Sequence, residues 1–229
     1  MPNPAKRFLL AAILACGQAA MAVAGTPTDP IMRPPVEHLS PALLRAKAEL
    51  RDVVARRDME ALLARVRAET TLDFGGSEGR QGFQAIWDVD AESRQRLWAT
   101  LEEILALPGV ARRFDHGDEY CAPYVFCTNL PDNADPYEAL VVLGSDVAIR
   151  SQPSLAGAVL RRVDHVVLAR ADDDSRIPST PDWTRVRLAD GATGYISTRW
   201  VRSPIDFRLT LRVDDRADTW WLGFLVAGD

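Results

Sequence analysis

The sequence WTRVRLADGATGYISTRWV, from Trp183 to Val201, decides the expected fold of the C-terminal half of the chain. β-Branched and aromatic residues alternate with polar ones on both sides of a polar segment that contains Gly191 and Gly194. This pattern predicts two β-strands joined by a tight turn. The aromatic residues of the stretch either line a binding surface or fill the core of a small barrel. The expected core positions are Val186, Leu188 and Ile196.

Neighbouring segments extend this β pattern over residues 139–203. ALVVLGSDVAIRSQPS predicts a strand, a turn and a second strand, and AVLRRVDHVVLARA predicts one further strand that contains His165 as a structural residue. DDDSRIPSTPDW is a polar loop whose three successive aspartates lack the alternating ligands of a calcium-binding loop. Residues 139–203 are therefore expected to form a small barrel or sandwich.

These segments resemble the bacterial SH3-like (SH3b) domain. Its pattern runs from V-x-I/V-R-S-x-P through W-x-x-V to G-x-x-G-Y/W-I/V and an aromatic-valine or aromatic-leucine end. The matching positions are Val147, Ile149, Arg150, Ser151, Pro153, Leu160, Trp183, Val186, Gly191, Gly194, Tyr195, Ile196, Trp200 and Val201. The chain departs from the family at Ala148, where asparagine is common, and in the long loop before Trp183. The resemblance implies an SH3-like β-barrel over residues 139–203.

The SH3b resemblance also implies a function, namely binding of peptides or of peptidoglycan stem and cross-bridge segments in an aromatic groove. Trp183, Tyr195 and Trp200 are the candidate ligand contacts, because flat rings offer a large contact area at small entropic cost. Asp182 and Arg199 are the candidate polar contacts. Each aromatic ring has a core position as its alternative role, and Trp183, beside the polar loop, is expected to be the most exposed.

The whole chain is similar, more loosely, to a group of secreted bacterial proteins. These proteins place a helical segment with FGG…GF…W before such a barrel and end in SPIDFR…W…VAGD. The corresponding positions are Phe74 to Gly76, Gly82, Phe83, Trp87, Ser203 to Arg208, Trp220 or Trp221, and Val226 to Asp229. This similarity implies the order of the domains and supplies no activity.

The first 24 residues have the three parts of a secretory signal peptide. Lys6 and Arg7 precede a short apolar run, and small residues lead to a cleavage site after Ala24. The expected location is therefore periplasmic or secreted. The alternatives are a lipoprotein anchored through Cys16, because Ile13 to Cys16 resembles a lipobox, and a buried N-terminal helix. No later stretch is long and apolar enough to span a bilayer.

Composition indicates a soluble globular protein with one large domain or two small ones. The chain has 229 residues, 47% of them hydrophobic and 26% charged, which excludes a disordered or collagen-like protein. Removal of residues 1–24 takes the formal net charge from -5 to -7, because the segment carries two positive charges and no negative one. Such an acidic chain is a poor partner for nucleic acid or anionic lipid, so neither is expected as a ligand.

Residues 41–138 are expected to form a mainly helical domain after a proline-rich leader at residues 25–40. Ser40 followed by Pro41 is a helix-start signal, and Asp58 is expected to cap a second helix. A further amphipathic helix is expected from Ala91 to Leu107. The predicted inward positions of the three helices are Leu43, Ala46, Leu50, Val53 and Val54, then Leu62, Leu63 and Val66, then Leu97, Leu101, Ile104 and Leu105.

A glycine cluster lies between a short alternating stretch, with Leu72 and Phe74, and a helix. It consists of Gly75, Gly76, Gly79 and Gly82. Phosphate binding is disfavoured there, because no lysine is followed by serine or threonine and the spacing is not G-x-G-x-x-G. A turn with positive φ angles and close helix packing is the better explanation. The predicted core face of the helix is Phe83, Ile86 and Trp87. No cofactor is expected.

The segment VARRFDHGDEYCAPYVFCTNLPDNADPYEAL is expected to be a surface loop pinned by a disulfide between Cys121 and Cys127. A turn must bring the two cysteines together, and Pro123 is well placed to start it. Two buried thiols are the alternative. His116 lies near acidic residues and Cys121, which raises a metal site or a Cys/His nucleophile. No second pair of zinc ligands follows, and Cys121 has an oxidation partner, so neither is expected.

The end of the chain, residues 204–229, is expected to form a β-hairpin. Phe207, Leu209, Leu211 and Val213 alternate with polar residues, DDRAD forms a turn, and Trp220, Leu222, Phe224 and Val226 alternate again. An isolated hairpin with one apolar face would be unstable, so it is expected to pack on the helical domain. The predicted fold class of the whole chain is α+β.

The expected function is that of a non-catalytic cell-envelope module that binds peptidoglycan peptide or an envelope protein. The alternatives are a cell-wall hydrolase with an SH3b targeting domain and an envelope assembly factor or inhibitor. A hydrolase of that kind would need a Cys/His pair or a histidine-rich zinc motif, and the three histidines, His38, His116 and His165, form neither. Glu102 and Glu103 fall on the polar face of a helix. No catalytic residue is therefore expected.

Overall fold

A computed structural model describes residues 27–114, 117–171, 180–214 and 219–226 of the chain. The predicted signal peptide, the alternative lipid-anchor residue Cys16, His116 and the three aspartates at 172–174 lie outside these residues. The described part has an α+β fold, as predicted, with five α-helices and two β-sheets.

The first helix begins as the sequence predicts. The helices are α1 (Pro41–Arg56), α2 (Met59–Leu63), α3 (Gly79–Trp87), α4 (Ala91–Leu105) and α5 (Tyr124–Cys127). Ser40 Oγ accepts a hydrogen bond from the N–H of Leu43 at 3.3 Å, which satisfies one of the free amides of the first turn. α1 is capped at its C-terminal end by Arg57, whose φ of 52° lies in the left-handed region.

The strands form two sheets, and the five-stranded sheet carries the main hydrophobic core. The strands of the protein are β1 (Val66–Thr71), β2 (Val110–Phe114), β3 (Gly117–Ala122), β4 (Ala139–Val142), β5 (Val147–Arg150), β6 (Val159–Val163), β7 (Val167–Arg170), β8 (Trp183–Arg187), β9 (Thr193–Ser197), β10 (Val201–Arg202), β11 (Arg208–Asp214) and β12 (Trp220–Val226). The order in the five-stranded sheet is β1-β12-β11-β3-β2, and only the β1–β12 pair is parallel. Leu209 and Leu211 of β11 are buried in one cluster with Leu50 of α1 and with Leu97 and Leu101 of α4.

The predicted second helix is shorter than expected. α2 ends at Leu63, and Val66 begins β1, where it pairs with Leu222 of β12. Val66 therefore fills a sheet position and not the helical position that the sequence spacing suggested. Pairing with a distant strand overrides the short helical pattern, because a five-residue helix contributes little stability of its own.

The prediction of a surface loop around Cys121 is wrong. The segment instead forms β2, β3 and α5, and Cys121 lies fully buried on β3. Charged residues hid the strand pattern, because they lie opposite one another on the outer face of the sheet. Arg112 Nε donates to Glu119 Oε1 at 2.7 Å, and Arg212 Nε donates to Glu119 Oε2 at 2.8 Å. Glu119 is thus paired with an arginine on each neighbouring strand, and these cross-strand ion pairs allow charged side chains within a sheet.

The second sheet has seven strands in the order β10-β4-β7-β8-β9-β5-β6. Each of its neighbouring pairs is antiparallel, and its end strands do not pair with each other in the described part of the chain. Its own hydrophobic cluster includes Ile149, Leu168, Val186 and Ile196, which are almost fully buried. Val186 and Ile196 were predicted core positions.

The single strand expected around His165 is in fact two strands. β6 and β7 are separated by a turn in which His165 has a φ of 50°. The N–H of His165 donates to the carbonyl of Gly144 at 3.0 Å. The polar pair Asp164 and His165 lies at the break, between the apolar residues of β6 and those of β7.

The leader contacts both sheets. The N–H of Val167 donates to the carbonyl of Pro30 at 2.7 Å, and the N–H of Met32 donates to the carbonyl of His165 at 2.7 Å. Further along, Glu37 accepts hydrogen bonds from the five-stranded part of the protein. The leader is therefore an ordered strap between the two sheets. Within the described ranges, no helix combines the length and apolar character needed to cross a membrane.

Candidate functional site

The outer face of β8 carries Trp183, which is partly exposed but less so than Trp200, so the prediction that Trp183 is the most exposed of the three rings is wrong. Thr184 and Val186 of β8 are buried, whereas Trp183, Arg185 and Arg187 alternate with them and are partly exposed. Because successive strand residues point to opposite faces, these three side chains lie together on the side away from the sheet's core. We call this surface, formed by Trp183, Arg185 and Arg187, the β8 face.

Tyr195 belongs to the same side of the sheet but is covered. It is directly opposite Arg185 of β8 on one side and Arg150 of β5 on the other. Only 5% of its surface is exposed. Arg150 is held in place because its Nη1 donates to the carbonyl of Gly157 at 2.8 Å. Tyr195 therefore lies beside Arg185 on the same side of the sheet and offers little surface to a ligand.

Trp200 and Arg199 lie elsewhere, in a 3-10 turn (Thr198–Trp200) between β9 and β10. Trp200 is 39% exposed, and the Arg199 guanidinium carbon is 5.3 Å from the centre of its ring. The indole rests on Gly144, where an added Cβ would come within 3.1 Å of it. The Trp200 carbonyl accepts a hydrogen bond from the N–H of Leu143 at 2.9 Å. Trp200 thus packs against the loop that follows β4.

Asp182 precedes the β8 face and is exposed. Its carbonyl accepts a hydrogen bond from the N–H of Thr198 at 2.9 Å, which ties the start of β8 to the end of β9. Trp183 pairs with Ser197 across the same two strands. The backbone around Trp183 is therefore fixed on the side of β9, while its ring is only partly covered.

A cleft of about 340 Å³ lies at the other end of the β8 face. Its walls come from the leader at residues 29–30, the loop at residues 133–138 and the end of β8, and its floor includes Ala139 and Val167. Both floor residues are buried apolar side chains. Arg187 belongs to both the β8 face and the cleft, so the two surfaces are continuous.

Three carboxylates and one guanidinium line the cleft, and we call it the acidic cleft. The carboxylates belong to Asp29, Asp135 and Glu138, and the guanidinium belongs to Arg187. Arg187 Nη2 is 3.4 Å from Glu138 Oε2, and both side chains are about half exposed. One oxygen of Asp29 accepts the N–H of Ala189 at 2.6 Å, and one oxygen of Asp135 accepts the N–H of Tyr137 at 2.9 Å. The cleft therefore has negative charge in excess of positive charge.

Sequence reasoning missed this cleft. Asp135 and Glu138 lie in a polar segment that looked like an ordinary loop, and Asp29 lies in the leader. Only the folded chain brings Asp29 next to Ala189. The alternation of Arg185 and Arg187 with Thr184 and Val186 was visible in the sequence, and it could have indicated a basic outer face.

Cys121 and Cys127 form the predicted disulfide, with an S–S distance of 2.05 Å. The bond holds α5 against the end of β3. Tyr124 and Val125 of α5 are buried with Val141 and Val167 of the second sheet. The disulfide therefore lies where the two sheets meet and leaves no thiol at this place for nucleophilic catalysis. Among the described residues, no group of three or more His, Cys, Asp or Glu side chains is arranged to hold a metal ion.

A buried polar cluster anchors the leader to the five-stranded part. Glu37 accepts hydrogen bonds from Lys47 Nζ at 2.6 Å, from the N–H of Gly109 at 2.7 Å and from the Tyr120 hydroxyl at 2.7 Å. Burial alone would raise the pKa of the Glu37 carboxyl, but these hydrogen bonds and the Lys47 charge together lower it. Burial, and then the hydrogen bond to Glu37, raises the pKa of Tyr120. Every strong donor is matched, which is typical of a structural anchor.

No protein-family model matches the chain, and the comparison with curated proteins finds no match.

Proposed function

We propose that the protein is a non-catalytic peptide-binding module of the bacterial cell envelope. The observation that carries this proposal is the continuous strip formed by the β8 face and the acidic cleft. The strip combines a partly exposed indole, two arginines and a concave site with an apolar floor, all on one side of one strand. Binding sites commonly pair apolar surface with a few fixed polar groups.

The dimensions of the strip favour an extended ligand. From Trp183 to Arg187 the strand advances roughly 13 Å at about 3.3 Å per residue, and the acidic cleft continues beyond Arg187. A stretched peptide of four to six residues has about that length. Aromatic and arginine side chains are also the residues that most often anchor bound peptides.

We further propose that the ligand is peptidoglycan peptide or an envelope protein, encountered in the periplasm or outside the cell. The similarity of residues 139–203 to the SH3b pattern supports a peptide ligand, and the signal-peptide pattern of residues 1–24 supports export. The disulfide is consistent with an oxidising compartment. Anchoring through a lipid on Cys16 is the alternative form of the same proposal.

The proposal is tested by co-sedimentation of the purified, disulfide-bonded protein with peptidoglycan sacculi, with soluble fragments measured in the supernatant. We expect the protein to sediment with sacculi and to release no fragments. Trp183→Ala should abolish most of the binding. Trp200→Ala is the matched control, because it removes the same ring from a different place. Release of fragments would contradict a non-catalytic role. Equal loss of sacculus binding in Trp183→Ala and Trp200→Ala would contradict binding at the β8 face.

A further inference from the structure

We infer that residues 29–32 of the leader, which we call the latch, open to admit a peptide to the acidic cleft and close to hold it there. This inference rests on the proposed function, since it assumes that the cleft binds peptide. It adds a moving part to the site. It also predicts that the latch controls how fast a peptide enters and leaves the cleft.

The latch is attached to the second sheet mainly through its backbone. The carbonyl of Pro30 accepts the N–H of Val167 at 2.7 Å, and the N–H of Met32 donates to the carbonyl of His165 at 2.7 Å. Of the four latch side chains, Met32 alone is buried, whereas Ile31 beside it is 61% exposed. A segment held by a few hydrogen bonds and one buried side chain opens at a lower free-energy cost than the whole protein unfolds.

An exposed arm, residues 33–36, connects the latch to a fixed point. Two of its four residues are prolines, which have no N–H to donate to a neighbouring strand. Within the described part of the chain, the arm makes no backbone–backbone hydrogen bond, and its Val36 is 79% exposed. The fixed point is Glu37, which is held by Lys47 and Tyr120. The latch can therefore leave the second sheet while the rest of the leader stays attached.

The latch lies between the acidic cleft and a second cleft of about 400 Å³. Asp29 lines both clefts. The neighbouring buried residues Val167 and Val166 line the acidic cleft and the second cleft, respectively. Opening of the latch would remove the wall formed by Asp29 and Pro30 and would join the two clefts. A peptide would then reach the floor of the acidic cleft from the side.

Closure of the latch completes the site around a bound peptide. Asp29 Oδ1 accepts the N–H of Ala189 at 2.6 Å, which ties the closed latch to the end of β8. The carboxylate of Asp29 then joins those of Asp135 and Glu138 in the lining of the cleft. A cationic side chain in the cleft gains this third carboxylate only when the latch is closed. A bound peptide therefore favours the closed state, as a substrate favours a closed lid.

A gate and a ligand contact have different effects on binding rates. Met32 does not line the acidic cleft, so its loss would weaken the latch without removing a ligand contact. The cleft would be open more often, and both association and dissociation would become faster by similar factors. The affinity would change little while the closed state remains the main one. Loss of a ligand contact instead accelerates dissociation and leaves association nearly unchanged.

The latch is tested first without a ligand, by hydrogen exchange of the purified, disulfide-bonded protein measured by NMR. The N–H groups of Val167 and Ala189 report on the latch, because both donate to it. The N–H of Val142, which donates at 2.9 Å to a carbonyl just before β7, is the control in the same sheet. We expect Met32→Ala to accelerate exchange at Val167 and Ala189 by about tenfold, and not at Val142. Ile31→Ala is the matched control variant and should leave all three rates unchanged.

The role of the latch in binding is tested by stopped-flow fluorescence with labelled soluble peptidoglycan fragments. We expect Met32→Ala to raise both the association and the dissociation rate constants by about tenfold, because both steps need an open latch. The equilibrium Kd should change by less than about twofold, since the two effects cancel. Ile31→Ala should change neither rate.

The outcomes separate the latch from the proposed function. Equal acceleration of exchange at Val167 and Val142 in Met32→Ala, or no acceleration at Val167, would overturn the latch. Faster dissociation with unchanged association in Met32→Ala would also overturn it, and both results would leave peptide binding standing. Fragments that do not bind the natural protein would overturn the proposed function and with it the gating role, even if exchange showed that the latch opens.

Discussion

Asp29 and Ala189 are joined by a hydrogen bond of 2.6 Å, from the backbone N–H of Ala189 to Asp29 Oδ1. This contact connects the leader to the end of β8, far apart in the sequence, and so builds one wall of the acidic cleft. The leader was expected to be a proline-rich lead-in to the first helix. It is instead part of the candidate site, because its Asp29 and Pro30 line the cleft.

Asp29→Ala should therefore weaken both the fold and the binding of a cationic peptide. Loss of one partly exposed hydrogen bond should lower the free energy of unfolding by about 1 kcal/mol, as measured by urea denaturation. Binding of a lysine-containing peptide should weaken several-fold, because one carboxylate of the acidic cleft is gone. Asp52→Ala, on the exposed side of α1, serves as the control. Unchanged peptide affinity would show that the leader is not part of the site.

Glu37→Ala should be among the more destabilising single changes in the leader. It leaves Lys47 Nζ and the Tyr120 hydroxyl without their acceptor, and the Lys47 side chain is only 9% exposed. Removing one partner of such a pair should cost about 3 kcal/mol in the free energy of unfolding. Glu60→Ala, in the first turn of α2, is a matched control in the same fold. If Glu37→Ala lowered the free energy of unfolding no more than Glu60→Ala does, Glu37 would not anchor the leader.

The Glu37 cluster also predicts a dependence of stability on pH. The pKa of Glu37 is lower in the folded protein than its ordinary value of 4.5. A lowered folded pKa means that the carboxylate's contribution is fully present above about pH 4.5 and is lost as pH falls through the folded pKa. The stability difference between the natural protein and Glu37→Gln should therefore be constant from pH 5 to pH 7 and shrink below pH 4.5. A difference that grows on acidification would contradict the hydrogen-bond assignment.

Gly194→Ala should destabilise the second sheet. An added Cβ would lie 2.6 Å from the Ile149 side chain and 2.9 Å from the carbonyl of Arg150. Overpacking of this kind typically costs about 2 kcal/mol. Gly75→Ala is the control, because the nearest atom to its Cβ would be at 3.4 Å, in the side chain of Asp73. Equal melting temperatures for Gly194→Ala and Gly75→Ala would show that β9 and β5 pack less tightly at Gly194 than in the structure.

The parts of the fold that could be predicted from the sequence depend on residues close together in the chain. Ser40 caps α1, and the apolar stripe through Leu43 and Leu50 is buried, because a helix start and a helical period are properties of neighbouring residues. The disulfide was also predictable, since Cys121 and Cys127 lie close together in the chain. The α+β class followed from helical and alternating patterns in separate parts of the sequence.

Long-range pairing explains what the sequence did not reveal. The charges of β2 and β3 are compatible with a sheet only because Arg112 and Arg212 meet Glu119 across three strands. Val66 joins a sheet because Leu222 lies beside it. The same holds for the candidate site, where the sequence predicted Trp183 but the cleft depends on Asp29 and Asp135, which only the fold brings to one cleft. The placement of Trp200 away from the β8 face likewise depends on Gly144, which only the fold brings beneath its ring.

The most direct test of the peptide-binding strip is a titration followed through the tryptophan indole N–H signals in NMR spectra. Soluble peptidoglycan fragments would be added to the ¹⁵N-labelled protein, with Trp183→Ala and Trp200→Ala used to assign the two indoles. The account predicts that the Trp183 indole and the backbone amides of residues 185–189 and 135–139 shift together, and that the Trp200 indole does not. Shifts confined to the five-stranded sheet, or to Trp200, would contradict it.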